Sequence, residues 1–348
     1  MRVTDISRRA TKIFPLHVVF LLLAMLATSP SLFAQNPAPP TTSPNPPPPP
    51  GYNPPGQSAG QNKKIITFTN LVALHATVTD DRGQFVPDLK SDNFRIFEDK
   101  IEQKISVFSR SDIPVTMGLV IDNSGSMREK RAQVNEAALT FVKTSNPQDE
   151  AFVVNFNDEY YLDTNEDFTS DATELNEALS RIDTRGSTAL YDAIVGSLDH
   201  LKKGHKDKKV LLVITDGNDD ASRLTLEQTL KAAEQSDAAI YTIGVFSADD
   251  LKNDKKTVRH AKKVLAEIAD ATGGMAYFPE SLDEVVPVCT QVARDIRNQY
   301  TLGYYPSNTA LDGTFRAVQV ELIPPKGRGK MAVRTRAGYY AQKTSSGD

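Results

Sequence analysis

Three runs in the middle of the chain are apolar without polar alternation: Val115–Ile121, Ala151–Asn155 and Val210–Thr215. A strand buried on both faces of a parallel sheet reads this way, whereas a half-solvated strand alternates. After the first run, Val134, Ala137, Ala138, Phe141 and Val142 recur at helical spacing. Ala189–Leu201 predicts a second helix, and Thr225–Gln235 a third, opened by the capping box Thr225…Gln228. Ala239–Val245 and Met275–Phe278 predict further strands, Tyr160–Leu162 a short edge strand, and Val258–Ala271 a helix closed by Gly273-Gly274. Ser281…Glu284 opens a last helix whose Leu282, Val285, Val286, Cys289, Val292 and Ile296 make one stripe, so Cys289 is expected as a packed core thiol. Strand and helix alternate throughout. The expected fold class is α/β, a doubly wound, mostly parallel sheet covered on both faces.

The flanks read differently. Val72, Leu74, Ala76 and Val78 alternate with less apolar neighbours, and Asp80-Asp81-Arg82-Gly83 turns the chain. Phe94 with Ile96, and Ile105 with Val107, give further period-two pairs about the turn Glu98-Asp99-Lys100. Such a module is marginal alone. Tyr300–Tyr305, Ala317–Ile323 and Met331–Tyr340 are also strand-like. The two flanks are therefore expected to pack together as one smaller β-sandwich, with the α/β domain inserted between them. The predicted organisation is a β module over residues 64–110, the α/β domain over 111–300, returning strands over 301–342 and a tail over 343–348.

The N-terminus adds an address. Arg2, Arg8, Arg9 and Lys12 precede the apolar segment Ile13–Ala27, and Ala34 stands where a signal peptidase would cut, so residues 1–34 read as an export signal. Leu32 is large for its place before that cut, which keeps an uncleaved membrane anchor as the alternative. The expected location is periplasmic, secreted or cell-surface. Residues 35–63 follow as a proline-rich linker, with 11 of the chain's 21 prolines between Pro37 and Pro55. Such a stretch favours extended polyproline II and serves as a tether. Without residues 1–34 the chain carries 36 basic against 43 acidic side chains, a net of −7, which argues against nucleic-acid binding. The single Cys289 excludes an internal disulfide.

The candidate chemistry sits where the first buried run ends. VTMGLVIDNSGSM stops at Asp122, Ser124 and Ser126, an oxygen-only set at the carboxyl end of a central strand, where open α/β sheets place ligand sites. Hard divalent cations prefer such ligands, and magnesium retains waters rather than taking a full protein cage. RGSTALYDAI adds Thr188 at a helix start, and VLLVITDGNDD adds Asp216 at the end of another buried strand. Together these residues resemble the metal-ion-dependent adhesion site of von Willebrand factor type A domains, over about Asp112 to Tyr300. The resemblance implies metal ligation by Asp122, Ser124, Ser126, Thr188 and Asp216. It also implies a Mg2+ cofactor (or Mn2+/Ca2+) and a protein partner that offers a carboxylate to an open coordination position.

Each residue also has a plainer role. Ser126…Glu129 has the form of a capping box, Thr188 stands at a helix start, and Asp216-Gly217 is a turn sequence. His200 and His205 are five apart, off the spacing of a helical zinc pair, and no phosphate-cradling loop or Gly-x-Ser-x-Gly elbow occurs. Three functions follow from the residues. The first is a non-enzymatic exported binding module for adhesion or scaffolding. The second is a metal-dependent hydrolase drawing a base from Asp219, Asp220 or Glu159. The third is a structural envelope protein with an unused metal site.

Overall fold

A computed structural model describes residues 71–181 and 184–343. The export segment, the proline-rich linker and the tail from residue 344 lie outside the described residues. The first strand, β1 (Val72–Asp80), turns its alternate apolar residues inward, with Leu74, Ala76 and Val78 fully buried. It is followed by β2 (Phe94–Glu98), β3 (Ile101–Gln103) and β4 (Ile105–Ser109). The hairpin between β2 and β3 holds Asp99 and Lys100 at φ of 46° and 69°, the left-handed pair that a tight two-residue β-turn requires.

The α/β domain comes next. In chain order it runs β5 (Val115–Asp122), α1 (Arg131–Lys143), β6 (Glu150–Phe156), β7 (Tyr160–Leu162), α2 (Ala172–Ser180), α3 (Leu190–Leu201) and β8 (Lys208–Thr215). It continues with α4 (Leu226–Gln235), β9 (Ala238–Gly244), α5 (Ala248–Asn253), α6 (Lys255–Ala271), β10 (Ala276–Tyr277) and α7 (Val285–Arg297). The six strands form one sheet in the order β10-β9-β8-β5-β6-β7, parallel except for the edge strand β7. One face is covered by α1, α2 and α7 and the other by α3, α4 and α6, so both sides of β5 and β8 are dry. The mostly parallel, doubly wound sheet expected from the unalternated runs is the one observed. Cys289 is buried in the first of these cores, and burial pushes its thiol up to about 12.

Four strands return after α7: β11 (Tyr300–Tyr304), β12 (Phe315–Leu322), β13 (Met331–Arg334) and β14 (Gly338–Tyr340). They interleave with the first four in two antiparallel sheets, β13-β1-β11-β4 and β14-β12-β2-β3, around a shared core that includes Leu74, Ile96, Leu302 and Tyr304. The flanks thus build one β-sandwich. Among the described residues no helix is long and apolar enough to cross a membrane.

Several local expectations need correction. Val107 faces outward, because the register between β4 and β11 slips at Gly303/Tyr304 and brings Phe108 inward instead. Phe108 then joins Phe94 and Tyr300, at ring-centroid distances of 5.8 Å to each. Met331–Tyr340 is two strands, which pair in different sheets. The helix α2 has only Leu175, Ala178 and Leu179 to bury, and α5 buries none of its residues. Neither carries the long apolar periodicity that predicts a helix. Ser126 does not cap α1, which begins at Arg131; Ser124 to Met127 form a short 3-10 turn before it. Ser281 likewise precedes a 3-10 turn and makes no side-chain cap.

Candidate metal centre

The site is built on β5 and β8, adjacent central strands whose carboxyl ends carry Asp122 and Asp216. Both carboxylates are buried, at 0% and 3% exposure. Each oxygen of Asp122 is engaged. Oδ1 accepts the Ser124 backbone N–H at 2.8 Å, and Oδ2 accepts the Thr215 hydroxyl at 2.5 Å. Burial and the nearby charge of Asp216 push the Asp122 carboxyl up to about 6, against the pull of the hydrogen bonds from Ser124 and Thr215. Two anions in one dry place are unfavourable unless a cation answers them.

Ser124 is buried, and its Oγ lies 3.1 Å from that of Ser126, which is exposed. The loop Gly125–Met127 is tied to the next one by Gly125 N–H donating to Gly186 O at 3.2 Å and Arg185 N–H donating to Asn123 O at 3.1 Å. Gly186 takes a φ of +74°, and a Cβ there would lie 2.0 Å from a carboxylate oxygen of Asp158, so only glycine lets the loop pass. Two residues on, Thr188 is buried, and its carbonyl receives the backbone N–H groups of Asp220 and Ala221. The Asp122, Thr188 and Asp216 loops therefore converge. Direct side-chain contacts join Ser124 to Ser126; Asp122 and Asp216 meet through charge; Thr188 is brought in by backbone bonds.

Side chains that the sequence pattern did not single out complete the place. Lys130, 2% exposed, reaches Asp216 Oδ2 at 3.1 Å and Asp250 Oδ2 at 2.9 Å. Burial opposes its charge, but the two carboxylates outweigh burial and hold its pKa above the ordinary lysine value. Asp250 is anchored at the start of α5, where its Oδ2 also accepts the Ser247 N–H at 2.8 Å. Arg131, also 2% exposed, donates to Asn155 Oδ1 at 2.7 Å, and its charge is felt by Asp122. Burial lowers the Arg131 pKa to about 10, so the guanidinium stays charged at neutral pH. The sequence places both cations beside the metal loop, yet a lysine and an arginine opening a helix read as surface residues until the tertiary fold buries them.

The residues considered as bases have other duties. Asp219 Oδ1 accepts Tyr191 N–H at 3.1 Å and the Ser222 hydroxyl at 2.5 Å, while Asp220 Oδ1 accepts Thr188 N–H at 2.7 Å. Both serve the N-terminus of α3. Glu159 lies exposed in the β6–β7 turn. His200 packs edge-on against Phe152, with ring centroids 4.6 Å apart.

A divalent ion suits this donor set on one observation: Asp216 Oδ1 is buried without a hydrogen-bond partner, in charge contact with Asp122. Among the described residues no group of three or more His, Cys, Asp or Glu side chains is placed to hold a metal. The set here is two carboxylates with hydroxyls, which favours a hard ion that keeps some water.

Comparison with solved structures finds a membrane protein related to aerotolerance from Bacteroides fragilis, with multiple mutations to serine (17% identity, 52% of this chain and 98% of that chain, TM-score 0.43). It also finds the vWF domain of a type V pilus tip protein from Porphyromonas gingivalis (13% identity, 53% and 95%, TM-score 0.44). A third is a von Willebrand factor type A protein from Catenulispora acidiphila (14% identity, 74% and 76%, TM-score 0.45). A search of curated proteins gives no match. Residues 117–218 match the family model of the von Willebrand factor type A domain. That segment runs from within β5 past the end of β8 and contains Asp122, Ser124, Ser126, Thr188 and Asp216, and the match supports a von Willebrand factor type A domain at the centre of this chain.

Proposed function

We propose that this chain is an exported, non-enzymatic binding module that holds a divalent cation and captures an acidic group of a protein partner, in adhesion or scaffolding at the cell envelope. Asp122, Ser124, Ser126, Thr188 and Asp216 would hold Mg2+ (or Mn2+/Ca2+). The observation that carries the reading is the buried, unpartnered Oδ1 of Asp216 in charge contact with the Asp122 carboxylate. Ser126 faces solvent, so the cluster is open to a partner on that side. A bound divalent ion supplies a Lewis-acidic position for an incoming carboxylate. The protein side supplies rigidity: β5 and β8 hold Asp122 and Asp216 at fixed spacing, and the Gly125–Gly186 hydrogen bond fixes the hydroxyl loop. Asp219 and Asp220, the carboxylates considered as bases, are occupied in holding the backbone that leads into α3, which favours binding over hydrolysis.

Export rests on the N-terminal sequence. A mature N-terminus at Gln35, read by mass spectrometry, is the expected result; an intact Met1 or Arg2 would replace the exported form by an anchored one.

The test of the metal is titration of the purified chain with MnCl2, followed by paramagnetic resonance of the free ion. Saturable binding that Asp122→Ala abolishes is expected, together with capture of envelope proteins in magnesium that chelator and Asp122→Ala both remove. No binding at millimolar ion overturns the reading.

A further inference from the structure

The metal loop carries cations of its own. Of the groups at the site that are fully buried, Asp122 and Asp216 are anionic, and Lys130 and Arg131 are cationic. These four sum to zero. Two carboxylates stand outside that sum. Asp250 shares Lys130 but keeps 39% of its side chain in solvent, where its field is screened. Asp163, whose charge Arg131 also feels, is paired with Arg181 at 3.7 Å. The lysine is fixed at both ends: its backbone caps α1, and its ammonium bridges the end of β8 to the start of α5. A buried ammonium of this kind persists only because both carboxylates answer it.

We infer that Lys130 is a resident counter-ion of the cation site, which holds the apo loops together and makes the loaded centre strongly electropositive. The inference rests on the cation site proposed above and gives it a consequence. In a site balanced by carboxylates alone, a divalent ion neutralises its ligands and has little charge left for a partner. Here Lys130 already covers Asp216 Oδ2, leaving Oδ1 for the ion, and an arriving ion brings its two charges to a buried cluster that is balanced without it. The geometry therefore sets ion affinity low and couples it to an acidic ligand. Carboxylate and ion bind together far better than either alone.

The experiment is a Mn2+ titration of the full chain, read by paramagnetic resonance, beside thermal unfolding in chelator. Lys130→Met is expected to tighten Mn2+ binding at least about tenfold, because a unit charge within ion-pair distance of a ligand is removed from a dry site. The same variant should lose several degrees of melting temperature in chelator and regain them with Mn2+, whereas the wild type should melt in chelator close to its value in plain buffer. Asp250→Asn keeps an acceptor for the Ser247 N–H but places the ammonium wholly on Asp216; it is expected to weaken Mn2+ binding about threefold or more. Mn2+ affinity in Lys130→Met equal to or below wild type overturns the inference. If that variant does not fold, unchanged affinity in Asp250→Asn overturns it. Wild-type binding that Asp122→Ala abolishes, with no tightening in Lys130→Met, leaves the metal reading standing and this inference refuted. No binding by wild type and Lys130→Met alike ends both, and binding gained only in Lys130→Met upholds the counter-ion role while refuting a metal in the wild type.

Discussion

The side-chain amide of Gln299 donates to the phenolic oxygen of Tyr241 at 3.0 Å, and so joins the residue before β11 to the middle of β9. The same nitrogen donates to Thr77 Oγ1 on β1 at 3.2 Å. All three residues are buried. The α/β domain and the sandwich therefore share a polar joint where α7 passes into β11. Removing a buried donor from two acceptors costs more than the net value of either bond. Gln299→Ala is expected to lower stability by about 2–4 kcal/mol in denaturant unfolding, with hydrogen exchange rising first at Thr77 and its neighbours.

The sandwich holds a carboxylate inside it. Glu98 is 2% exposed, and its Oε2 accepts the hydroxyls of Tyr304 and Tyr339, each at 2.8 Å. Burial and the Glu98 carboxylate both raise the tyrosine pKa values. Tyr304→Phe is expected to cost about 1.5–3 kcal/mol, the range for a hydrogen bond to a charged group. Chemical denaturation of the variant at pH 7 measures it.

His75, on the outward side of β1, is expected to make the protein acid-sensitive. Burial, with Lys208 and Arg336 nearby, lowers its pKa to about 3. Between pH 3 and 6.5 the unfolded chain binds a proton that the folded chain refuses, so stability falls as pH drops through that window. His75→Gln should remove on the order of 1–3 kcal/mol of that loss. Unfolding midpoints at pH 4 and pH 7 decide it: an acid slope identical in wild type and variant would contradict the assignment.

Gly118 lies at the centre of β5, where a Cβ would meet Leu211 Cδ1 and Phe152 Cζ, each at 2.6 Å. Those side chains come from the two strands flanking β5. Gly118→Ala is expected to destabilise by about 1–3 kcal/mol through overpacking. The shift should appear in thermal unfolding, and Mn2+ affinity should fall with it if Asp122 moves.

A chain ending at Gln299 should lose the sandwich. Without β11 neither β1 nor β4 keeps its partner there, and without β12 the strand β2 loses one of its two neighbours. Hydrogen exchange over β1 to β4 is then expected to approach unprotected rates. Protection there equal to that of the full chain would show that the N-terminal strands stand alone.

The linear order of residues by itself determined the layered α/β class, because Leu119–Ile121 and Leu211–Ile214 lack the polar alternation that a half-wet strand requires. It also determined that the flanks are β, and it placed Asp122 and Asp216 at the ends of buried strands; Ser124 and Ser126 fall in the turn before α1, and Thr188 two residues ahead of α3. These are local properties, readable within one turn or one strand. Only the tertiary structure decided what depends on distant partners. Val107 alternates as a core residue should, yet the bulge opposite Gly303 turns it to solvent and brings Phe108 inward. Lys130 and Arg131 look like surface cations, yet packing of α1 buries them beside Asp216 and Asp122. Asp250 sits on a helix that buries nothing, and its pairing with Lys130 arises only when α5 comes to rest beside the metal loop. Charge balance at a buried site is a sum over everything within a few ångströms, and no stretch of sequence contains that sum.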